Sequence, residues 1–203
     1  MATELEFKLA VPNAMLLEKI LFDETLSQVR QGGYTMLEMG SVYYDTPDRS
    51  LRARGWTLRL RQENERVVAT LKTPGPGRAR MEYETEAGSI VQALPLLVQQ
   101  GAPEELTVLG EKGLDMVCGA RFTRRAANLA FADGTVCELA GDVGELLGGA
   151  SMEQLCEVEL EYKQGEVETV EAFASELMDR FGLQEEFRSK YARAYALAKE
   201  DAR

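Results

Sequence analysis

The 203-residue chain contains no histidine. That absence removes Ser-His-Asp and Cys-His nucleophile schemes and any zinc or iron site built on imidazole. A metal bound here must be held by carboxylate oxygens, which selects hard cations, Mg²⁺ or Mn²⁺ before others. Cysteine is scarce. Cys118, Cys137 and Cys156 are widely spaced and form no CxxC pair, so a zinc ribbon and a thioredoxin-like motif are both excluded. Buried free thiols in a reducing compartment are expected. No stretch reaches the ~18 apolar residues of a membrane span, and the Met1-Ala2-Thr3-Glu4 start has no basic or apolar leader pattern. A cytoplasmic protein without a membrane partner is expected. Positive charge is also in deficit, with a net charge of −11, which opposes a general nucleic-acid surface. Basic residues nevertheless cluster between Arg49 and Arg80, as a single small polyanionic ligand would require.

What is present is strand patterning. The segment Glu4-Leu5-Glu6-Phe7-Lys8-Leu9 alternates charged and apolar residues, the period of a half-buried strand. A helix is expected to start at Pro12-Asn13 and to stop at Gly32-Gly33. Strands are expected over 37–44, 56–61, 67–72, 80–86, 122–131, 135–139 and 154–163. Helices are expected over 89–100, 103–117, 167–181 and 186–199. No repeat, low-complexity tract or linker interrupts the chain, so residues 1–203 read as one domain. Short turns between most strands favour an antiparallel sheet, closed or nearly so, with helices on its outer face.

Several strands carry charge of both signs on one face. Residues i, i+2 and i+4 of a strand project together, so Glu4, Glu6 and Lys8 form one set and Arg59 and Arg61 a second. Arg80, Glu82, Glu84 and Glu86 form a third, and Glu157, Glu159 and Glu161 a fourth. These could be solvated faces of an ordinary sheet. The opposite faces hold Leu5, Phe7, Leu9, Leu58, Leu60, Met81, Tyr83, Val158 and Leu160, which amphipathic helices could cover. The charged faces then lie in open water or inside the sheet. Interior charge is costly unless it pairs or holds a ligand, and grouped carboxylates with grouped cations suit a metal-bound polyphosphate.

Glu4-Leu5-Glu6-Phe7-Lys8 resembles the ExExK signature of the CYTH domain, or triphosphate tunnel metalloenzyme, family. Tyr44-Asp45-Thr46-Pro47 is similar to that family's YYDTP turn, residues 51–61 (LRARGWTLRLR) to its arginine-rich strands, and Thr70-Leu71-Lys72 to a strand ending in lysine. Arg80-Met81-Glu82 resembles the RxE strand and Phe122-Thr123-Arg124 a later basic strand. Asp142, residues 157–161 (EVELE) and Ser189-Lys190-Tyr191 with Arg193 resemble the remaining elements, so the resemblance runs from residue 4 to about residue 197. Two features depart from it. Ala126 stands where relatives often keep a second inward basic residue, and the sequence carries none of the histidine-rich helical domain appended in some relatives, so no polyphosphate-granule role is expected.

The resemblance implies an α+β fold built on an eight-stranded antiparallel closed β-barrel, a tunnel, with helices packed outside. It implies hydrolysis of inorganic triphosphate to diphosphate and phosphate with Mg²⁺ or Mn²⁺. Other reactions in the same site, thiamine or nucleoside triphosphate hydrolysis or class IV adenylyl cyclase chemistry, remain alternatives, as does a non-catalytic polyphosphate- or nucleotide-binding module. By the same resemblance Glu4, Glu6, Asp142, Glu157 and Glu159 are metal ligands, although Asp142 could equally be a turn residue before Gly144. Lys8, Arg59, Arg61, Lys72, Arg80, Arg124 and Arg193 bind phosphate. Glu82 orients the attacking water and Lys190 approaches the phosphates from a closing helix. The expected partner is a small polyanionic substrate; oligomeric state is left open.

Overall fold

A computed structural model describes residues 2–200, and side chains from residue 4 to residue 199. In chain order the elements are β1 (Ala2–Glu4), β2 (Glu6–Ala10), α1 (Ala14–Leu21), α2 (Glu24–Val29), β3 (Arg30–Asp45), α3 (Ser50–Ala53), β4 (Thr57–Glu63), β5 (Arg66–Pro74) and β6 (Arg80–Glu86). They continue with α4 (Ile90–Gln99), α5 (Glu105–Gly110), β7 (Asp115–Ala130), β8 (Val136–Gly148), β9 (Ser151–Gln164), α6 (Val167–Phe181), β10 (Gln184–Glu185) and α7 (Lys190–Glu200).

The expected closed eight-stranded barrel does not form. The ten strands make one open antiparallel sheet in the order β1-β6-β5-β4-β3-β7-β8-β9-β2-β10. The N-terminal strand is split at Leu5: β1 pairs with β6 at one end, and β2 pairs with β9 near the other. The remaining edge of β2 is taken. Gln184 and Glu185 pair with Ala10 and Leu9, and the Glu186 amide donates to the Lys8 carbonyl at 2.8 Å. The ladder with β6 ends at Glu4, opposite Arg80, the first residue of β6, so no ladder joins β2 to β6. The two ends of the sheet are connected covalently through Leu5.

The apolar faces are covered as their periodicity demands. Phe7, Leu9, Leu139, Val158 and Leu160 pack with Leu17, Ile20 and Leu21 of α1 and Val170, Phe173 and Leu177 of α6. Leu58, Leu71 and Tyr83 pack with Leu51 of α3, Leu94 and Leu97 of α4 and Leu106 and Leu109 of α5, with Trp56 at the margin. One helix departs from the expected outer placement. The α7 residues Ala194 and Leu197 pack with Met39, Phe122, Leu146 and Leu155, which share strand parity with the charged residues. So α7 lies against the charged face. Gly148 permits this: a Cβ there would sit 2.2 Å from the Ala194 carbonyl oxygen and 2.6 Å from the Ala198 nitrogen.

Several boundaries also move. The first helix ends at Leu21 and a second starts after the Asp23 cap, while Gly32 and Gly33 fall inside β3 at a register shift between Gln31 and Thr35. The helix expected to reach residue 117 stops at Gly110, and β7 begins at Asp115. Asp142 is not a turn residue; it lies within β8, opposite Arg124 and Glu157. All three cysteines are free, Cys137 buried and the others half-buried.

The Tyr44-Asp45-Thr46-Pro47 turn has a structural task. Asp45 is fully buried, and its carboxylate accepts hydrogen bonds from the amides of Thr46 (2.8 Å), Leu51 (3.0 Å) and Arg52 (3.2 Å). These include first-turn donors of α3 that have no helical partner. Asp45→Ala should leave them unsatisfied in the interior and cost about 1–3 kcal/mol. The expected readout is a lower denaturation midpoint with an unchanged slope.

Candidate active site

One cavity of about 370 Å³ opens on the charged face, and every strand except β10 contributes to its lining. The sheet must therefore curl around it. Eight glutamates and eight lysines or arginines line the walls, so the formal charges cancel before any ligand enters. Apolar lining is confined to Leu37 and Met39 of β3 and Phe122 and Ala126 of β7.

Strands β4, β5 and β6 supply a cationic wall. Cross-strand pairing sets Thr57 opposite Lys72 and Lys72 opposite Glu82. Arg59 lies 3.6 Å from Glu82 and 3.9 Å from Glu84. Arg61 contacts Glu63 and lies 3.6 Å from Glu84. Lys72 binds Glu4 at 2.5 Å and approaches Glu82 at 3.5 Å. Arg80 has no carboxylate partner among the described residues; it donates to the Gly55 and Lys72 carbonyls at 2.9 and 3.0 Å. The Nε atoms of Arg59, Arg61 and Arg80 are buried and find no acceptor among the described residues. Burial pulls the Arg61 and Arg80 guanidinium pKa values down, and the charge of Arg59 adds to the effect at Arg61. Glu63, Glu82 and Glu84 thus leave these three donors of the wall unmatched.

The opposite wall is backed by a dense ionic knot, of which Lys8, Arg124, Glu159 and Lys190 line the cavity while Asp142, Glu157 and Arg193 lie buried behind them. Oxygens of Asp142 on β8 and of Glu157 and Glu159 on β9 all lie within 4.8 Å of one another. The Lys190 ammonium sits among them, 2.5 Å from Glu157 and 2.7 Å from both Asp142 and Glu159. Arg124 grips Asp142 through two nitrogens at 2.8 and 2.7 Å and reaches Glu159 at 2.5 Å. Arg193 binds Glu157 at 2.8 Å, and Lys8 lies 3.8 Å from Glu159. Burial opposes the charge on Lys190, but Asp142, Glu159 and Glu157 outweigh it and hold its pKa well above the usual lysine value.

A third group lies in register on neighbouring strands, with Glu6 opposite Glu161 and Glu161 opposite Glu138. Like charges directly opposite each other are destabilising. Lys8 on Glu6 (2.9 Å) and Lys163 on Glu161 (2.7 Å) offset them, while burial and the charges of Glu4 and Glu138 push the Glu161 carboxyl pKa up.

The residues expected as metal ligands are thus distributed over three places. Asp142, Glu157 and Glu159 come together, Glu6 lies beside Lys8, and Glu4 lies across the cavity with Lys72. Of those expected at phosphate, Lys8, Arg59, Arg61, Lys72, Arg80 and Arg124 line the cavity, whereas Arg193 is not in its lining and is held by Glu153 and Glu157. Glu82 lines the cavity between Arg59 and Lys72. Glu63, Glu84, Glu138, Glu161 and Lys163 also line it. Period two marks Glu161 and Lys163 as continuing the face of Glu157 and Glu159, and that signal could have included them. The same period places Glu63 on the face of Arg59 and Arg61, and Glu138 on the face of Asp142.

The CYTH domain profile matches residues 2–195. The chain belongs to the CYTH domain family. A curated relative, the inorganic triphosphatase of Haemophilus influenzae, is 27% identical over 201 residues, which are 97% of this chain and 55% of the relative. The chain spans about half the length of that relative. Among solved structures, Hippeastrum HpAC1, described as a candidate adenylyl cyclase revealing a dominant triphosphatase activity, aligns with TM-score 0.61 at 21% identity, over 99% of this chain and 96% of its own. The PH1819 protein of Pyrococcus horikoshii aligns with TM-score 0.56 at 20% identity, over 98% and 99%. Both likenesses concern the fold.

The CYTH family implies a divalent cation, and the Asp142–Glu157–Glu159 donor set suits one. Three carboxylates converge and offer only hard oxygen donors, and a lysine ammonium already stands in as a cation among them.

The ionic knot predicts a pH response. Burial disfavours the Glu159 carboxylate, but Lys190, Arg124 and Lys8 outweigh it and hold its pKa well below the usual range. A depressed folded pKa contributes stability above the unfolded value that is lost as pH falls through the folded one. Glu159→Gln should therefore cost roughly 3–5 kcal/mol near neutral pH, the cost of breaking a buried pair. The gap to the unsubstituted protein should narrow below about pH 4, under the ordinary glutamate pKa. Thermal melts across that range check it.

Proposed function

We propose that this CYTH domain hydrolyses inorganic triphosphate to diphosphate and phosphate with Mg²⁺ or Mn²⁺. The observation that carries the reading is the row of buried, acceptor-free guanidinium nitrogens on Arg59, Arg61 and Arg80, facing a cavity whose formal charges otherwise cancel. Phosphate oxygens are the acceptors that such forks fit. A strongly anionic ligand would unbalance a neutral lining, so it should enter with a compensating cation. The named triphosphatase relative supports the same reading.

The divalent ion would be held by Asp142, Glu157 and Glu159, with Glu4 and Glu6 available nearer the ligand, and would polarise phosphoryl oxygens and neutralise their charge. Arg59, Arg61, Lys72 and Arg80 would grip the triphosphate along the β4–β6 wall, with Lys8 and Arg124 meeting it from the other side. Glu82, 3.6 Å from Arg59 and 3.5 Å from Lys72, would accept a hydrogen bond from the attacking water and aim its oxygen at the terminal phosphorus. The bond to that oxygen forms as the bridging P–O bond breaks, diphosphate leaves with the bonding pair, and the proton shed by the water passes to solvent. Arginine contacts that strengthen as charge gathers on the leaving oxygens lower the barrier.

Inorganic triphosphate is favoured over nucleoside or thiamine triphosphates, and over cyclase chemistry, because the lining offers no free aromatic face. Tyr43 and Tyr191 are buried and pack on each other with centroids 5.3 Å apart. Phe122 is covered by Arg124 and Lys190. Residues 1–203 are read as one working domain, supported by the family match over 2–195. A cytoplasmic site of action accords with the free cysteines. No helix of the described residues is long and apolar enough to cross a membrane.

Phosphate release should be fastest with triphosphate, slower with ATP or thiamine triphosphate, and abolished by excess chelator. Arg59→Ala and Arg61→Ala should each lower kcat/KM by roughly 100- to 1,000-fold, the loss seen when one preorganised donor is removed. Triphosphate with Ca²⁺, at about 100 times its Kd, should stabilise the fold by about 2.7 kcal/mol, and simple phosphate should add far less. Turnover undiminished by chelator, or equal thermal shifts for both anions, would count against the proposal.

A further inference from the structure

We infer that Lys190 is a built-in counter-cation for the Asp142–Glu157–Glu159 group, and that a divalent ion taking those carboxylates must displace it, undocking the first turn of α7 and freeing the ammonium for the cavity. The inference rests on the reading that this domain uses a divalent ion.

Competition for the same oxygens comes first. The ammonium lies 2.5–2.7 Å from one oxygen of each carboxylate, and those groups converge within 4.8 Å. A Mg²⁺-type ion needs an oxygen of each carboxylate at about 2.0–2.1 Å, and the oxygens that Lys190 leaves are already held by Arg124 and Arg193, so the ion must take the ammonium's place.

Charge balance points the same way. Lys190 contacts all three carboxylates, Arg124 contacts Asp142 and Glu159, and Arg193 contacts Glu157, so three cations already match three negative charges, with Lys8 close by. No net negative charge remains for a divalent ion until one of these cations leaves.

Lys190 is the one placed to go. Arg124 lies in the middle of β7, paired on both sides with β3 and β8. Lys190 is the first residue of α7, after the short segment that follows β10. A cation in the first turn of a helix opposes the helix dipole, so it is the carboxylates, with the Phe122 ring 5.1 Å away, that hold it there. Ser189 and Lys190 also line the cavity, which gives the released ammonium a short path toward an anionic ligand. The sequence of events would be metal first, then Lys190 to the phosphates.

The test uses Mn²⁺ alone, without triphosphate, titrated against the full chain while free Mn²⁺ is read by electron paramagnetic resonance. Lys190→Gln should bind Mn²⁺ more tightly than the unsubstituted protein, by roughly 5- to 150-fold, the range of ordinary coupling between sites. Lys190→Arg, which keeps the cation, should not gain. Adding Asp142→Asn to Lys190→Gln should erase the gain. In the unsubstituted protein, Mn²⁺ should accelerate amide hydrogen exchange over residues 190–194. A folded Lys190→Gln variant that binds Mn²⁺ no better, or α7 exchange unchanged at saturating Mn²⁺, overturns the inference. A protein that passes both measurements yet leaves triphosphate intact would overturn the proposed function alone.

Discussion

Charge compensation inside the curled sheet is the constraint on which the rest of this structure depends. Eight carboxylates face eight cationic groups across one cavity, and isolated buried charges of either sign would be expensive. Part of the compensation comes from register, with Glu159 opposite Lys8, Asp142 opposite Arg124 and Lys72 opposite Glu82. Where carboxylates face each other, as Glu6, Glu161 and Glu138 do, Lys8 and Lys163 offset them. A shift of one residue in any of these ladders would turn the charges toward the helices and the leucines toward the cavity. The apolar clusters under α1, α6, α4 and α5 therefore protect the site as much as they stabilise the fold.

The compensation is uneven. On the Asp142–Glu157–Glu159 side every carboxylate has a cation, and Lys190 has three carboxylates. On the β4–β6 side the cations are only partly matched, and three guanidinium nitrogens lack acceptors. On the proposed reading, a polyanion accompanied by a divalent ion would supply what each side lacks or can exchange: acceptors to the first wall and a replacement cation to the second. The open order of the sheet suits such exchange, because its two ends are joined at Leu5 and not by a ladder.

How much of this was legible in the residues varies by element. The alternation at Glu4–Leu9, at 56–61 and at 154–163 was enough to assign strands, to separate charged from apolar faces, and to say that helices would cover Leu58, Val158 and Leu160. The zero histidine count directed any metal to oxygen donors. The family resemblance placed most of the cavity-lining residues. Helix ends were less legible, because Gly32-Gly33 reads as a stop signal locally but is absorbed as an irregularity in β3, and Gly113 gives no warning that a strand follows directly.

By itself the sequence determined strand parity, the sign of charge on each face and the class of cation that could be held, since these follow from period-two geometry and donor chemistry within a few residues. Only the tertiary structure decided which charges meet. Glu138 reaches the cavity because β8 pairs with β9. Glu4 and Glu6 are two residues apart in the chain, yet Glu4 closes the ladder with β6 at Arg80, where that strand begins, and Glu6 pairs with Glu161 of β9. Lys190 enters the carboxylate group because Gly148 lets α7 lie against the inner face. Each of these depends on contacts between segments distant in sequence, and local pattern carries no information about which distant edge a strand will find.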